Sequence, residues 1–237
     1  MPLSNAPAAA YAASVESLAQ CLHEALLEPV HSDGVVAGHV RRAADTKAAL
    51  AAVRVLGPDV FAPALLAGVL PGPLDREAVA EALRAFPVGP GEPVEAIVLA
   101  EAQAAVIARS DRPDAGTRQH RTEATTLADA DWVSFAQCLA RMSPLALPRC
   151  ESAVADLARR RSLDVSRGVV RAMLRRDYPT AARLARWSAL VNGHGAAEAL
   201  RLEPVVAHVV QCGSSSARMA LDVAVLQRLS PARQEEG

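Results

Sequence analysis

Arg167, Arg171 and Arg175 recur at every fourth position. At about 100° per residue such a spacing puts all three on one side of a helix. Val165, Val169, Val170, Met173 and Leu174 fall on the other side. The segment therefore predicts a helix that buries an apolar face and presents three guanidinium groups outward. Arg183 and Arg186 add to the same basic stretch, which begins near Arg159. A guanidinium is a planar fork that donates two parallel hydrogen bonds, the pattern that phosphate, sulfate and carboxylate accept. Binding an anionic small molecule or an acidic protein is the chemistry this pattern supports. A solvated basic face, or struts toward an acidic half of the chain, would use the same residues.

Two loops offer further groups. Ser214, Ser215 and Ser216 follow Gly213 and lead into a helix whose first turn carries Arg218. Such a loop presents free N–H groups and hydroxyls to an anion. His194 lies between Gly193 and Gly195, so a ligand can approach it closely. It is the candidate general acid or base if the protein is an enzyme.

Other chemistries find little support. His23, His31 and His39 recur every eight residues, but Pro29 and Gly34 break any single helix carrying them, and no metal site is expected. There is no phosphate-binding Gly-rich loop, dinucleotide fingerprint, Gly-x-Ser-x-Gly or His-Glu-x-x-His, and no cofactor is implied. The four cysteines form no Cys-x-x-Cys pair, which predicts buried free thiols.

These groups need a scaffold, and composition narrows its class. Hydrophobic residues are 51% and charged residues 22% of the 237 residues, which excludes global disorder. Aromatic residues are only 3%, which argues against β-sandwiches and against stacking platforms for single-stranded nucleic acid. The net charge of -1 excludes a polycation coating nucleic acid. Charge is nonetheless unevenly shared. Residues 1–140 hold ten basic and 17 acidic side chains, and residues 141–237 hold 15 and nine. The N-terminal residues lack the pattern of a signal peptide. The most apolar run, Val53–Leu70, is interrupted by Arg54, Pro58, Asp59 and Pro63. No membrane span is expected, and the expected compartment is the cytoplasm.

An internal duplication organises the chain. Ser17–Leu22 reads S-L-A-Q-C-L, and Ser134–Leu139 reads S-F-A-Q-C-L, 117 positions later. Ala80–Val88 and Ala197–Val205 share A-E-A-L-R and a Pro-Val in register, again 117 positions apart. The expected architecture is all-α, a tandem duplication of a multi-helix unit of about 100 residues, its halves related by a pseudo-twofold axis. Residues 11–109 form an acidic first repeat, 110–128 a polar linker and 129–229 a basic second repeat. Only the second repeat carries the arginines. Their counterparts are Ala48, Ala52 and Leu56, with Ala64 and Ala67 near Arg183 and Arg186.

Apolar periodicity and stop signals predict helices over 14–28, 34–44, 46–57, 59–70, 76–86 and 94–109 in the first repeat. In the second they predict 131–142, 151–161, 165–176, 179–191, 196–202 and 217–229. Asp33 and Asp75 are the expected caps of the helices that follow them. Val205–Val210 is the nearest approach to a strand.

Three functions follow. The first is a cytosolic binding protein or accessory subunit whose arginine-rich face takes an anionic ligand or an acidic partner. The second is an enzyme acting on a phosphate-, sulfate- or carboxylate-bearing substrate between the repeats, with Arg171 and Arg175 as clamps and His194 as acid or base. The third is DNA binding, as an α-solenoid or by a helix-turn-helix with Ser162–Asp164 as the turn.

Overall fold

The structure is a computed structural model that describes residues 6–28, 33–111, 127–150, 152–192, 200–213 and 216–230. Every regular element among them is helical. Val205–Val210, the strand candidate, lies inside the helix Leu202–Cys212. Its apolar residues work at helical spacing: Leu202 and Val209 are buried, and Val205 and Val206 pack beside Leu202. The chain divides into two compact units. Unit 1 comprises Met1–Thr117 with Ser216–Leu221, and unit 2 comprises Arg118–Ser215 with Asp222–Gly237.

Unit 1 contains α1 (Ala6–Leu27), α2 (Val35–Arg42), α3 (Thr46–Leu56), a 3-10 turn (Gly57–Phe61), α4 (Ala62–Leu66), α5 (Pro73–Ala85) and α6 (Val94–Asp111). Asp45 starts α3 by accepting from Ala48 N at 3.0 Å. Gly57 ends it with φ +58°, a conformation that a Cβ disfavours. The last carbonyls of α3 would otherwise be orphaned. Buried Gln103 of α6 satisfies them, donating to Val53 O and Gly57 O at 3.0 Å each. Helix α3 packs against α1 and α5, and its Ala48, Ala49, Ala52, Val53 and Leu56 are buried.

Two expectations in this unit change. The helix expected over 59–70 is a 3-10 turn followed by a short helix ending at Leu66. Asp75 does not cap its own helix, which starts at Gly72 with Pro73 in its first turn. Its buried carboxylate instead accepts from Gly34 N and Ala37 N at 3.1 and 3.0 Å, so it caps α2 in the place expected for Asp33. The run Thr46–Leu66 is long and apolar enough to cross a membrane by length and composition, but 78% of it is buried inside the protein.

Unit 2 contains α7 (Trp132–Arg141), α8 (Ala153–Arg160), α9 (Ser162–Leu174), α10 (Tyr178–Asn192), α11 (Leu202–Cys212) and most of α12 (Ala217–Leu229). Asp131 caps α7 through Val133 N and Ser134 N, and Ser152 caps α8 through Ala155 N. Ser162–Asp164 is the first turn of α9, so a single residue, Arg161, separates α8 from α9. The turn that a helix-turn-helix requires is therefore absent here. Arg161 holds this corner by donating to the carbonyls of Leu127, Ala128 and Ala130 and pairing with Asp164 at 2.8 Å.

The thiols also depart from expectation. Cys150 is buried, Cys21 and Cys138 are half-buried, and Cys212 is exposed; all four are free.

Candidate functional site

The arginine stripe of α9 is not straight. Each step of four residues turns about 40° around a helix axis, so Arg175 points about 80° away from Arg167. Arg167 stays in solvent and pairs with Asp164 at 3.3 Å on its own helix. Arg171 and Arg175 turn toward a cleft between α9, α7 and α10, where Arg141 and Arg183 also arrive. The cleft has a volume of about 330 Å³. Among the described residues its remaining polar lining is Gln137, Asp177 and Thr180, and its apolar lining consists of small or aliphatic residues such as Val133, Ala136, Ala140 and Leu184.

Gly168 makes this geometry possible. A glycine weakens a helix interior by about 1 kcal/mol relative to alanine. Here a Cβ would lie 2.7 Å from Ala136 Cβ and 3.0 Å from Leu184 Cδ1. Its absence lets α9 approach α7 and α10 closely enough for arginines of all three helices to line one cleft. The next corner is equally specific. Arg176 N donates to Met173 O and Asp177 N to Ala172 O, the paired bonds of a Schellman motif. Arg176 takes the left-handed position usually given to glycine, with φ +59°. Asp177 then accepts from Thr180 N at 3.2 Å and opens α10.

Behind the cleft lies a buried ion cluster. Arg186 Nη1 donates to Asp222 Oδ1 at 2.7 Å, and Arg183 Nε donates to Asp222 Oδ2 at 3.2 Å. The side chains of Arg186 and Asp222 are 0% and 1% exposed, and that of Arg183 is 32% exposed. Arg186 was expected on an open binding face. It is instead sealed under the cleft, because it lies among the buried residues of α10 and the one carboxylate of α12 points at it. Trp187 beside it donates to Leu139 O at 2.8 Å and ties α10 to α7. Arg171 is held differently, over the ring of Trp132 at 5.9 Å.

The expected apolar face of α9 also divides. Val165 and Val169 are buried, but Val170 is exposed and Leu174 is 80% exposed. With Leu163 they form an exposed apolar stripe on α9, and Val170 and Leu174 line a shallow groove toward Pro204, Val205 and His208 of α11.

The second expected anion site is already filled from within unit 1. Glu16 of α1 accepts from Ala217 N at 2.7 Å and Arg218 N at 3.4 Å. Arg218 pairs with buried Asp59 at 3.2 Å, and Ser216 Oγ accepts from Met219 N as the helix cap. The anion at this helix start is a protein carboxylate. Ser214, Ser215 and His194 lie outside the described residues. Among the described residues no cluster of His, Cys, Asp or Glu is arranged to hold a metal ion.

The sequence reading missed Arg141, Gln137, Asp177, Thr180 and Asp222. Two signals were present. Gln137 and Arg141 lie one turn apart, so a helix carries both on one face. Asp222 stands alone in the run A-L-D-V-A-V-L, where an acid on an apolar face calls for a buried cation. Compared with known proteins, the chain matches no family model, no curated protein and no solved structure.

Proposed function

We propose that unit 2 is an anion-binding module and that its ligand is a small molecule seated in the cleft of α7, α9 and α10. The observation that carries this reading is the convergence of Arg141, Arg171, Arg175 and Arg183 on one concave surface, where Asp177 is the one carboxylate among the described residues. Arginines gathered on one concave surface suit an oxyanion, whose oxygens accept from their planar forks. A volume near 330 Å³ suits a metabolite-sized ligand. An enzymatic role would need an acid or base beside the cleft, and His194 remains the sequence candidate for it. The two units are read as copies of one ancestral repeat, supported by the shared S-x-A-Q-C-L segment and by the packing of the first helix on the third in each.

Calorimetric titration of the full chain with sulfate and with phosphate tests the reading. Arg171→Gln with Arg175→Gln should weaken binding by at least tenfold and lower Tm only slightly, since Arg175 is exposed and Arg171 is half-buried against Trp132, a contact worth about 0.5–1 kcal/mol. Binding should also weaken with added salt, as screening predicts. Failure of the unmodified chain to bind either anion would overturn the proposal.

An acidic protein partner is the second reading, favoured by the exposed stripe of Leu163, Val170 and Leu174 beside the arginines. A partner that covers the stripe would slow hydrogen exchange along the outer face of α9, and a small anion would not.

A further inference from the structure

We infer that the outer face of α9 docks an acidic amphipathic helix of a partner protein, with the groove between α9 and α11 receiving its apolar side chains. The inference rests on the acidic-partner reading above and gives that partner a surface and a shape. It does not involve the cleft.

Helix α9 has four exposed residues, Leu163, Arg167, Val170 and Leu174, and three of them are apolar. A surface helix ordinarily turns polar and charged side chains outward. Neighbouring α8 does so, exposing Arg159 and Arg160. On α9 the exposed positions step by four, three and four residues. At about 100° per residue they fall within about 60° of one another. That is the spacing of a seam that packs against a second helix. On one side of the seam, Val170, Met173 and Leu174 continue into the groove toward Pro204, Val205 and His208 of α11, which has a volume of about 320 Å³. A groove between two helices receives the side chains of a third laid along it. From Leu163 to Leu174 the seam runs about 16 Å, three turns of such a helix.

Charge selects the chemistry of the occupant. Arg167 interrupts the apolar seam, so a helix laid over it takes this guanidinium partly out of water. A charge removed from water needs a counter-charge. Arg167 pairs with Asp164 at 3.3 Å, but Asp164 also holds Arg161 at 2.8 Å, so one carboxylate already serves two arginines. Residues 162–175 carry three arginines and that single aspartate. Arg171 and Arg175 turn about 40° and 80° from Arg167, to the side away from the groove. A partner helix with an acidic residue at the level of Arg167, and others along the flank that meets Arg171 and Arg175, is complementary to this surface. A charged residue within a seam also fixes the register of the helices that meet there.

The test is a selection on the full chain from a displayed library of helical peptides of about 16 residues, randomised at core and flanking positions. Enriched peptides should carry apolar residues at i, i+3 or i+4, and i+7, with Asp or Glu beside them. Leu163→Gln with Leu174→Gln should weaken their binding at least tenfold. Both leucines are exposed and neither lines the cleft, so Tm and titration with sulfate should match those of the unmodified chain. Arg167→Glu should weaken the acidic peptides at least tenfold and bind versions with Lys in place of the acids more tightly than the unmodified chain does. Absence of enrichment, or enriched peptides without acidic residues, would overturn the inference. So would loss, in the leucine variant, of self-association in sedimentation or of binding to phosphatidylserine vesicles, since the face would then belong to a second copy or to a membrane. Acidic peptides whose binding is indifferent to the leucine pair would overturn it too, while leaving the acidic-partner reading on another surface. Sulfate binding that persists while peptides fail would leave the small-anion reading in place.

Discussion

Helices α3 and α9 hold the same place in the order of their units, and each packs on the first helix of its unit. Their outcomes differ. Helix α3 is also covered by α5, so Ala48, Ala52 and Leu56 are buried with small or apolar side chains. Helix α9 is gripped by α7 and α10, and Arg171 and Arg175 line the cleft left between the three helices. Positions closed off by packing hold small or apolar residues, and positions at the edge of a cleft can carry charge. The difference also shows in the buried carboxylates. Asp75 of unit 1 is satisfied by backbone N–H groups, and Asp222 of unit 2 by two guanidinium groups. The first closes a helix end. The second sets the charge of a cleft.

The largest effect is expected at Asp222. Asp222→Ala leaves Arg186 in a dry site without its carboxylate, a loss of about 3–5 kcal/mol. Asp75→Ala deprives only amide donors, at about 1–3 kcal/mol. Urea unfolding of both variants measures the contrast, and equal losses would remove it. Gly168 comes next. Gly168→Ala gains about 1 kcal/mol of helix propensity but forces a Cβ onto Ala136, an overpacking cost of about 1–3 kcal/mol. Net destabilisation with weakened anion binding is expected, whereas in α3 the reverse change, Ala49→Gly, should cost about 1 kcal/mol and leave anion binding untouched. A smaller gain is expected at the corner after α9. Arg176→Gly relieves a left-handed residue and should stabilise unit 2 by about 0.5 kcal/mol, visible as a raised Tm.

The last effect is a slope with pH. Burial first, and the charge of Arg42 second, hold His39 below the usual histidine range. Its ring lies 3.2 Å from Ser14 Oγ. Between that lowered value and the ordinary 6.5, the unfolded chain binds more protons than the folded one. Stability from His39 is thus complete above about 6.5 and is lost as pH falls below it. His39→Gln should flatten the dependence of Tm on pH in that range.

Helix positions were legible because caps and prolines act locally. The helices expected over 46–57 and 131–142 stand within a residue at each end, since Asp45, Gly57 and Asp131 act on the helix ends beside them. Asp75 was misassigned because its donors are about 40 residues away, and no local pattern reports such a contact. The same holds for Glu16 at the start of α12. Among the arginines, spacing placed Arg171 and Arg175 together correctly. It did not separate Arg167, because a four-residue repeat drifts around a helix by about 40° per step. Nor did it distinguish Arg183 from Arg186, three residues on along α10, where burial depends on where α12 aims one aspartate.

Both tryptophans of the chain, Trp132 and Trp187, belong to unit 2, and Tyr11 is the tyrosine of unit 1. Light emitted on excitation near 295 nm therefore comes from unit 2 alone. Trp187 is buried, and its indole N–H is bound to Leu139 O, so its emission should be blue and should shift red only when α10 leaves α7. Trp132 lies under the guanidinium of Arg171, 5.9 Å from its ring centroid, so its emission is expected to change if an anion binds as proposed. On the proposed reading Trp132 is an optical reporter of anion binding, while melting of unit 1 by itself would pass almost unseen in the same signal.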